Sequence, residues 1–415
     1  MQQSPDRHYR FFGAFPWPLG AVVFLVQVGL GIILFAVFQE YVTAELGTGD
    51  AWPGILIGAY GGARFLGETP TGAISDQIER KLGILAGFTL ITAAIALMSI
   101  VHNEYAFLAC SLLMGFGTAF LWPATYAISA DLYAAEKRGK VIGFLNVGQL
   151  LGFGAGALVG AWLVEPVPAA LFLIAACSVA VAFIAALVGI PSYRTQRLFG
   201  RVRHERRPSL RSVMTRQVAA LSGLILIATV SLYMIIPAIR PLGEDQLGVS
   251  FFKLTAILAP GVLLAGMLYV PAGHFADRHG RLLPFFAGQV LLIIGMFTAA
   301  QTHTLAVAAV AGWTIFVGNV LAVPAYNAAV MDLAPASHRG TLIGLSVALS
   351  GLGLTIGPLL GGVISQAEGP AAVFRSAALV STFTGCAIVA YGRKFARRAG
   401  EPAEMEAGAQ LNTGQ

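Results

Sequence analysis

Charge is scarce in this chain. Only 11% of its 415 residues are Asp, Glu, Lys or Arg, where a soluble domain carries roughly a quarter. Hydrophobic residues make up 57% and the mean hydropathy is +0.76, so lipid is the expected solvent. Cysteine is scarcer still. Cys110, Cys177 and Cys386, an odd number, all fall in apolar runs, which argues against a disulfide framework. His8, His102, His204, His274, His279, His303 and His338 sit in loops or at helix ends. Closely spaced Cys/His ligands, an H-E-x-x-H zinc motif and a nucleophile elbow are missing. The sequence therefore predicts no catalytic residue, no metal, no cofactor and no enzyme. A phosphate-binding P-loop is also missing, which argues against ATP as the energy source. Gly152-Phe-Gly154-Ala-Gly156 has part of the glycine spacing of a dinucleotide loop but lies inside an apolar run with no strand before it. A cleavable leader is not expected either, because the run from Leu19 to Phe38 is long enough to span and no small-residue cleavage site follows it.

What the chain has in abundance is long apolar runs. A spanning helix needs about 20 mostly apolar residues, and twelve segments qualify. They are Leu19–Val42, Trp52–Ser75, Leu82–Val101, Tyr105–Ala130, Val141–Val164, Ala169–Ile190, Val218–Ile239, Phe251–Phe275, Leu282–Gln301, Leu305–Leu333, Thr341–Ser365 and Ala371–Tyr391. The expected fold is all-α, a polytopic membrane protein of twelve transmembrane helices. With the N-terminus inside, all but four of the 26 Lys and Arg fall on the inner side; the exceptions are Arg64, Arg240, Lys253 and Arg375. Lys and Arg accumulate in cytoplasmic loops, so both termini are expected in the cytoplasm, at the inner membrane of a bacterial cell. The net charge of +6 is thereby a topology signal and not a nucleic-acid footprint.

The charge pattern also divides the chain. Residues 192–217 hold eight arginines and no apolar run. They read as a basic cytoplasmic linker between a six-helix bundle at 1–191 and another at 218–392, followed by a cytoplasmic tail at 393–415. The two bundles repeat with a shift of 201 residues. Pro70 maps to Pro271, Asp76 to Asp277, Arg80 to Arg281, Gly117 to Gly318, Pro123 to Pro324 and Asp131 to Asp332. Arg138-Gly139 maps to Arg339-Gly340, and Gly143, Gly152 and Gly156 map to Gly344, Gly353 and Gly357. A constant offset over so long a stretch means duplicated structure. Such folds place the solute near the bilayer midplane, between halves that rock around it.

Only Arg64 and Glu68 carry charge well inside a predicted span. At 1.5 Å rise per residue they stand roughly 18 and 12 Å from the end of their helix at Asp76, deep in a ~30 Å core. Ionisable groups at that depth face a cavity or a partner. Two roles stay open: a functional pair, in which Glu68 exchanges a proton while Arg64 tunes it or holds an anionic group, or a structural ion pair. Gln27, Trp122, Tyr126, Asn146, Gln149, Tyr233, Trp313, Asn319 and Asn327 are further polar or aromatic candidates for the cavity, which together suit an amphiphilic organic solute.

Two motifs carry a resemblance. Gly273-His-Phe-Ala-Asp277-Arg278-His-Gly280-Arg281 resembles the G-x-x-x-D-R-x-G-R-[RK] loop signature of the major facilitator superfamily. The copy Gly72-Ala-Ile-Ser-Asp76-Gln77-Ile-Glu79-Arg80-Lys81 departs from it at Gln77 and Glu79. The resemblance implies that Gly72, Asp76, Arg80, Lys81, Asp131 and Arg138, with Gly273, Asp277, Arg278, Arg281, Asp332 and Arg339, form a cytoplasmic gate closed in the outward-facing state. Helix 11 holds Gly344, Gly353, Gly357-Pro358 and Gly361-Gly362, similar to the pattern that the family's antiporters show in helix 5. Helix 5 itself keeps Gly143, Gly152 and Gly156 but has Ala157 and Ala161 where that pattern has Pro and its final Gly. These positions are expected to pack helices closely. The Arg that family drug/proton exporters often place in helix 4 is Ser111 here. The expectation is a monomeric transporter of a small organic solute in the lipid bilayer, coupled to protons and directed outward. Proton symport and facilitated uptake are the alternatives.

Overall fold

The computed structural model describes residues 16–77, 79–133, 135–190, 214–332 and 339–399. Among them the chain forms twelve long helices and no strand. The first half holds α1 (Trp17–Ala44), α2 (Ala51–Gln77), α3 (Arg80–Met98), α4 (Glu104–Leu132), α5 (Ala135–Leu163) and α6 (Pro168–Gly189). The second holds α7 (Arg216–Gln246), α8 (Phe251–His279), α9 (Leu282–Ala300), α10 (Leu305–Asp332), α11 (Arg339–Glu368) and α12 (Pro370–Ala399). Eleven are apolar enough by composition alone to cross a membrane. The twelfth, α2, falls short, and α2 is the helix that carries Arg64 and Glu68. Most of the basic linker lies outside the described residues, as does the tail beyond 399.

Neighbours within the two halves match one for one. α1 packs on α5 and α6, as α7 packs on α11 and α12; α4 packs on α2 and α3, as α10 packs on α8 and α9; α3 meets α6, as α9 meets α12. The halves join through α2 with α11 and α5 with α8, two contacts that exchange under the same repeat.

Glycines make the crossings close, since a missing Cβ lets backbones approach. A Cβ at Gly152 or Gly156 of α5 would strike the carbonyl of Phe24 or Val28 on α1. The repeat gives the same contact in the second half, where Cβ atoms on Gly353, Gly357 and Gly361 would meet Thr229, the Val230 carbonyl and the Met234 carbonyl of α7. Gly87 and Gly117 cross against each other's carbonyls, and so do Gly288 and Gly318. On its other side α11 lies against α2, where Gly54 packs on the Pro358 carbonyl. Gly143 has no atom within 4 Å of where a Cβ would stand, so no close crossing occurs there. Gly344 falls outside the residues described at this level.

The largest difference from the sequence reading is in α7. Its apolar run predicts an end at Ile239, but the helix continues to Gln246 through a tight 3₁₀ turn at Ile236–Ala238 and a wide π-helical turn at Leu242–Gln246. Pro237 and Pro241 have no N–H to donate and cannot continue an α ladder; local 3₁₀ and π turns let the remaining groups find partners. The first helix of the other half is also irregular at this level, with π-helical Ile32–Tyr41, although no proline lies in that stretch.

Candidate functional site

Both halves wall a central cavity of about 390 Å³. From the first half come Gln27 on α1, Tyr60 and Arg64 on α2, Trp122 and Tyr126 on α4, and Asn146 and Gln149 on α5. From the second come Tyr233 on α7, Tyr269 on α8, Asn319 and Tyr326 on α10, and Ser346 and Ser350 on α11. The cavity thus gathers Gln27, Arg64, Tyr126, Asn146, Gln149 and Asn319, all of them expected from the sequence. The Asn327 side chain lies outside the described residues.

Arg64 and Glu68 do form an ion pair, with Nε donating to Oε1 at 2.8 Å and side-chain exposures of 16% and 9%. The pair follows from the i, i+4 spacing on one helix face. Its two members differ in access, however. Arg64 lines the cavity, and its guanidinium carbon stands 6.0 Å from the centre of the Trp122 ring, within cation–π range. Glu68 sits behind it and is not among the lining residues. Thr71, one turn further along, faces α4 and donates to the Ala119 carbonyl at 2.8 Å. That bond ties α2 to α4 one turn beyond the ion pair.

The second half supplies aromatic hydroxyls where the first supplies charge. Tyr269 occupies the repeat position of Glu68 and lines the cavity together with Asn146 of the other half. Tyr326 lines it together with Ser350 of α11. Neither tyrosine is among the residues expected from the sequence, although the signal for Tyr269 is present in the repeat itself. Trp313 does not line the cavity; its indole N–H donates to the Ile257 carbonyl at 2.9 Å, tying α10 to α8.

A second compartment of about 250 Å³ continues from the first and shares Leu150, Phe153, Leu232, Tyr233, Ile236 and Asn319 with it. Apolar side chains make up nearly all of the rest, among them Phe35, Ile239, Leu258, Val262 and Phe316. The whole space is therefore amphipathic, polar at the Arg64 level and apolar above it.

Among the described residues, contacts between halves cluster on the side away from the chain ends. Gly54, Gly58 and Gly61 of α2 lie against Pro358, Leu359 and Leu354 of α11, and Gly154 of α5 lies against Val262 of α8. Phe35 stacks on Phe251 at 5.2 Å. Toward the chain ends, a Cβ added at Gly143 or Gly273 would meet nothing within 4 Å. Of the expected gate, Lys81 donates from Nζ to the Leu187 carbonyl at 2.6 Å, at the end of α6. Arg80 is buried, Arg278 is exposed and Arg281 stands at the N-cap of α9. The side chains of Asp76, Asp131, Arg138, Asp277, Asp332 and Arg339, and the environment of Gly72, lie outside the described residues.

The sequence model of the Major Facilitator Superfamily matches residues 19–353 and again 221–413. The chain belongs to this superfamily. It is a multi-pass membrane protein of a transporter family. It is 24% identical to the multidrug resistance protein MdtH of Salmonella choleraesuis over 360 residues, 83% of this chain and 85% of that one. Two solved members share the fold at lower identity. A bacterial homologue of the human lysosomal transporter Spinster, in an inward-facing and occupied conformation, superposes with a TM-score of 0.76 at 16% identity, covering 95% of this chain and 98% of its own. The nucleoside transporter NupG gives a TM-score of 0.70 at 14% identity, covering 91% and 98%.

Proposed function

We propose that this protein exports a small amphiphilic organic solute from the cytoplasm in exchange for protons, by alternating access around the central cavity. The observation that carries the reading is the continuous two-compartment space walled by both halves, with one cation, Arg64, on its polar wall. A solute with a polar or anionic group would meet Arg64, the tyrosine hydroxyls and the amides, and its apolar part would enter the Phe35–Leu258 compartment. The likeness to MdtH over most of the chain supports organic solutes and the outward direction.

The ion pair gives a route to coupling. Glu68 acts through Arg64: while ionised it holds the guanidinium by Nε, so its protonation state changes what Arg64 presents to the solute. Proton and solute are thereby linked through one arginine. The excess of Lys and Arg at the chain-end face supports an orientation with both termini in the cytoplasm of a bacterial cell. With the opposite face closed, the conformation described is then the inward-facing one. The matched packing within each half, which closes each bundle on itself, supports a monomer.

The test is transport by the full-length protein in liposomes under an imposed pH gradient, with lumenal pH followed while lipophilic drugs, sugars or amino acids are added. One compound class should collapse the gradient with the parental protein. Glu68→Gln should abolish that proton flux, and Arg64→Ala should lower transport at least about tenfold, the scale of one lost charge-assisted contact. Solute movement without any proton flux would replace exchange by facilitated diffusion. Equal proton flux in Glu68→Gln would make Glu68 structural.

A further inference from the structure

At the closed face the two halves are joined by charge. Arg240, on the irregular end of α7, places Nε 2.6 Å from Glu40 Oε2 on α1, and Nη1 3.8 Å from Asp50 Oδ1 in the loop that follows. Its Nη2 lies 2.7 Å from Glu244 Oε2, one turn along α7. Exposure is 18% for Arg240 and 11% for Glu40. One guanidinium therefore serves three carboxylates, two from the first half and one from the second. Next to it Gln39 donates from Nε2 to the Ile236 carbonyl at 2.6 Å, a second bond between α1 and α7. The 3₁₀ and π turns put this cation here, since they carry α7 past Pro237 and Pro241 and fold Arg240 back toward α1.

The same turns roof the apolar compartment. Ile236, Ile239 and Leu242 line it from α7, and Phe35 lines it from the π-helical part of α1. The side chains of Arg240 and Gln39 thus hold together the two segments whose apolar neighbours close the compartment. We propose that Arg240 is the lock of the face opposite the chain ends: bonded to Glu40 and Asp50 across the halves, it keeps the apolar compartment shut on that side, and it must release them for the compartment to open there. Without Arg240 the carboxyl groups of Glu40, Asp50 and Glu244 lose the cation they share, so its loss does more than remove a tie. The proposal rests on alternating access but on neither the solute nor the proton.

The experiment is reaction of a cysteine reporter with a membrane-impermeant maleimide. Ala259→Cys places the reporter in the apolar compartment, in full-length protein with Cys110, Cys177 and Cys386 replaced by Ser. Reagent is added separately to each face in oriented vesicles. With the lock intact, reaction from the face opposite the chain ends should be slow. Arg240→Gln should speed it about tenfold, an equilibrium shift of the size that one differential contact gives, whereas Arg240→Lys, which keeps the charge, should stay near the parental rate. Glu40→Gln leaves Arg240 with Asp50 and Glu244 and should give a smaller increase in the same direction; it also serves if Arg240→Gln does not fold. Unchanged rates in a folded Arg240→Gln or Glu40→Gln protein, or an increase only from the chain-end face, would overturn the lock. Failure of proton exchange in the transport assay would leave these rates untouched, so the two readings fail separately.

Discussion

Arg64 and Ala265 occupy the same place in the two halves of the repeat, and so do Glu68 and Tyr269. The helices around them correspond pair for pair, down to glycines that meet backbone carbonyls at matching crossings. Yet the first half presents a cation to the cavity, with a carboxylate behind it, while at the matching places the second buries an alanine completely and presents a phenol. Their interiors differ as well. Among the described residues, buried apolar side chains of the first half form one continuous core, whereas those of the second form separate clusters, and the apolar compartment is lined mainly by that half. Duplication conserved the packing, which is backbone against backbone. The residues facing the space between the halves were free to diverge, so one half came to hold the charge and the other most of the apolar volume.

The strongest challenge to this division is to move the charge. Ala265→Arg puts a guanidinium at a fully buried site with no carboxylate one turn away. A buried charge without its partner costs about 3–5 kcal/mol. Folded, monodisperse protein should be lost on detergent extraction, and recovery of normal yield would show that the second half tolerates a charge the repeat withheld.

A smaller effect tests what the halves share. Gly156→Val and Gly357→Val each push side-chain atoms into a carbonyl of the facing helix, and overpacking of this kind costs about 1–3 kcal/mol. Both should lower the thermal unfolding temperature in detergent by similar amounts. A clear inequality would mean that the α1–α5 and α7–α11 crossings are not equivalent.

The smallest effect concerns single hydroxyls. Thr71→Val removes the bond from α2 to α4, and Ser231→Ala removes bonds from α7 to the Ala377 carbonyl and Ser381 of α12. Interhelical hydrogen bonds in membrane proteins average about 0.6 kcal/mol, so each should move the unfolding midpoint only slightly. Thr71→Val should also weaken transport, because α2 carries Arg64, and Ser231→Ala should not. Equal losses of transport would show that the hydroxyl at Thr71 has no special part in aiming the arginine.

Much of the fold was legible because each spanning helix must be apolar along its own length, a local property. The repeat was legible because its glycines and prolines keep one spacing. Arg64 stood out because a charge at that depth is costly wherever the helix faces. Pairwise geometry was less so. Glu68 is on the same helix face as Arg64 but behind it, Trp313 turned to a backbone carbonyl, and Arg240 read as an outer-loop residue because the proline-broken end of α7 has no apolar periodicity to extend.

Taken alone, the sequence determined twelve spans, two halves, the pairing of Arg64 with Glu68 and the side on which basic residues gather. All of these follow from hydropathy and from spacing along a single helix. Tertiary structure decided which polar side chains share the cavity, which member of the ion pair reaches it, that an apolar compartment continues from it, and that Arg240 of one half meets Glu40 of the other. Those depend on how helices about two hundred residues apart rotate against each other, and rotation is set by close glycine crossings and buried hydroxyls that leave no mark on any one helix's composition.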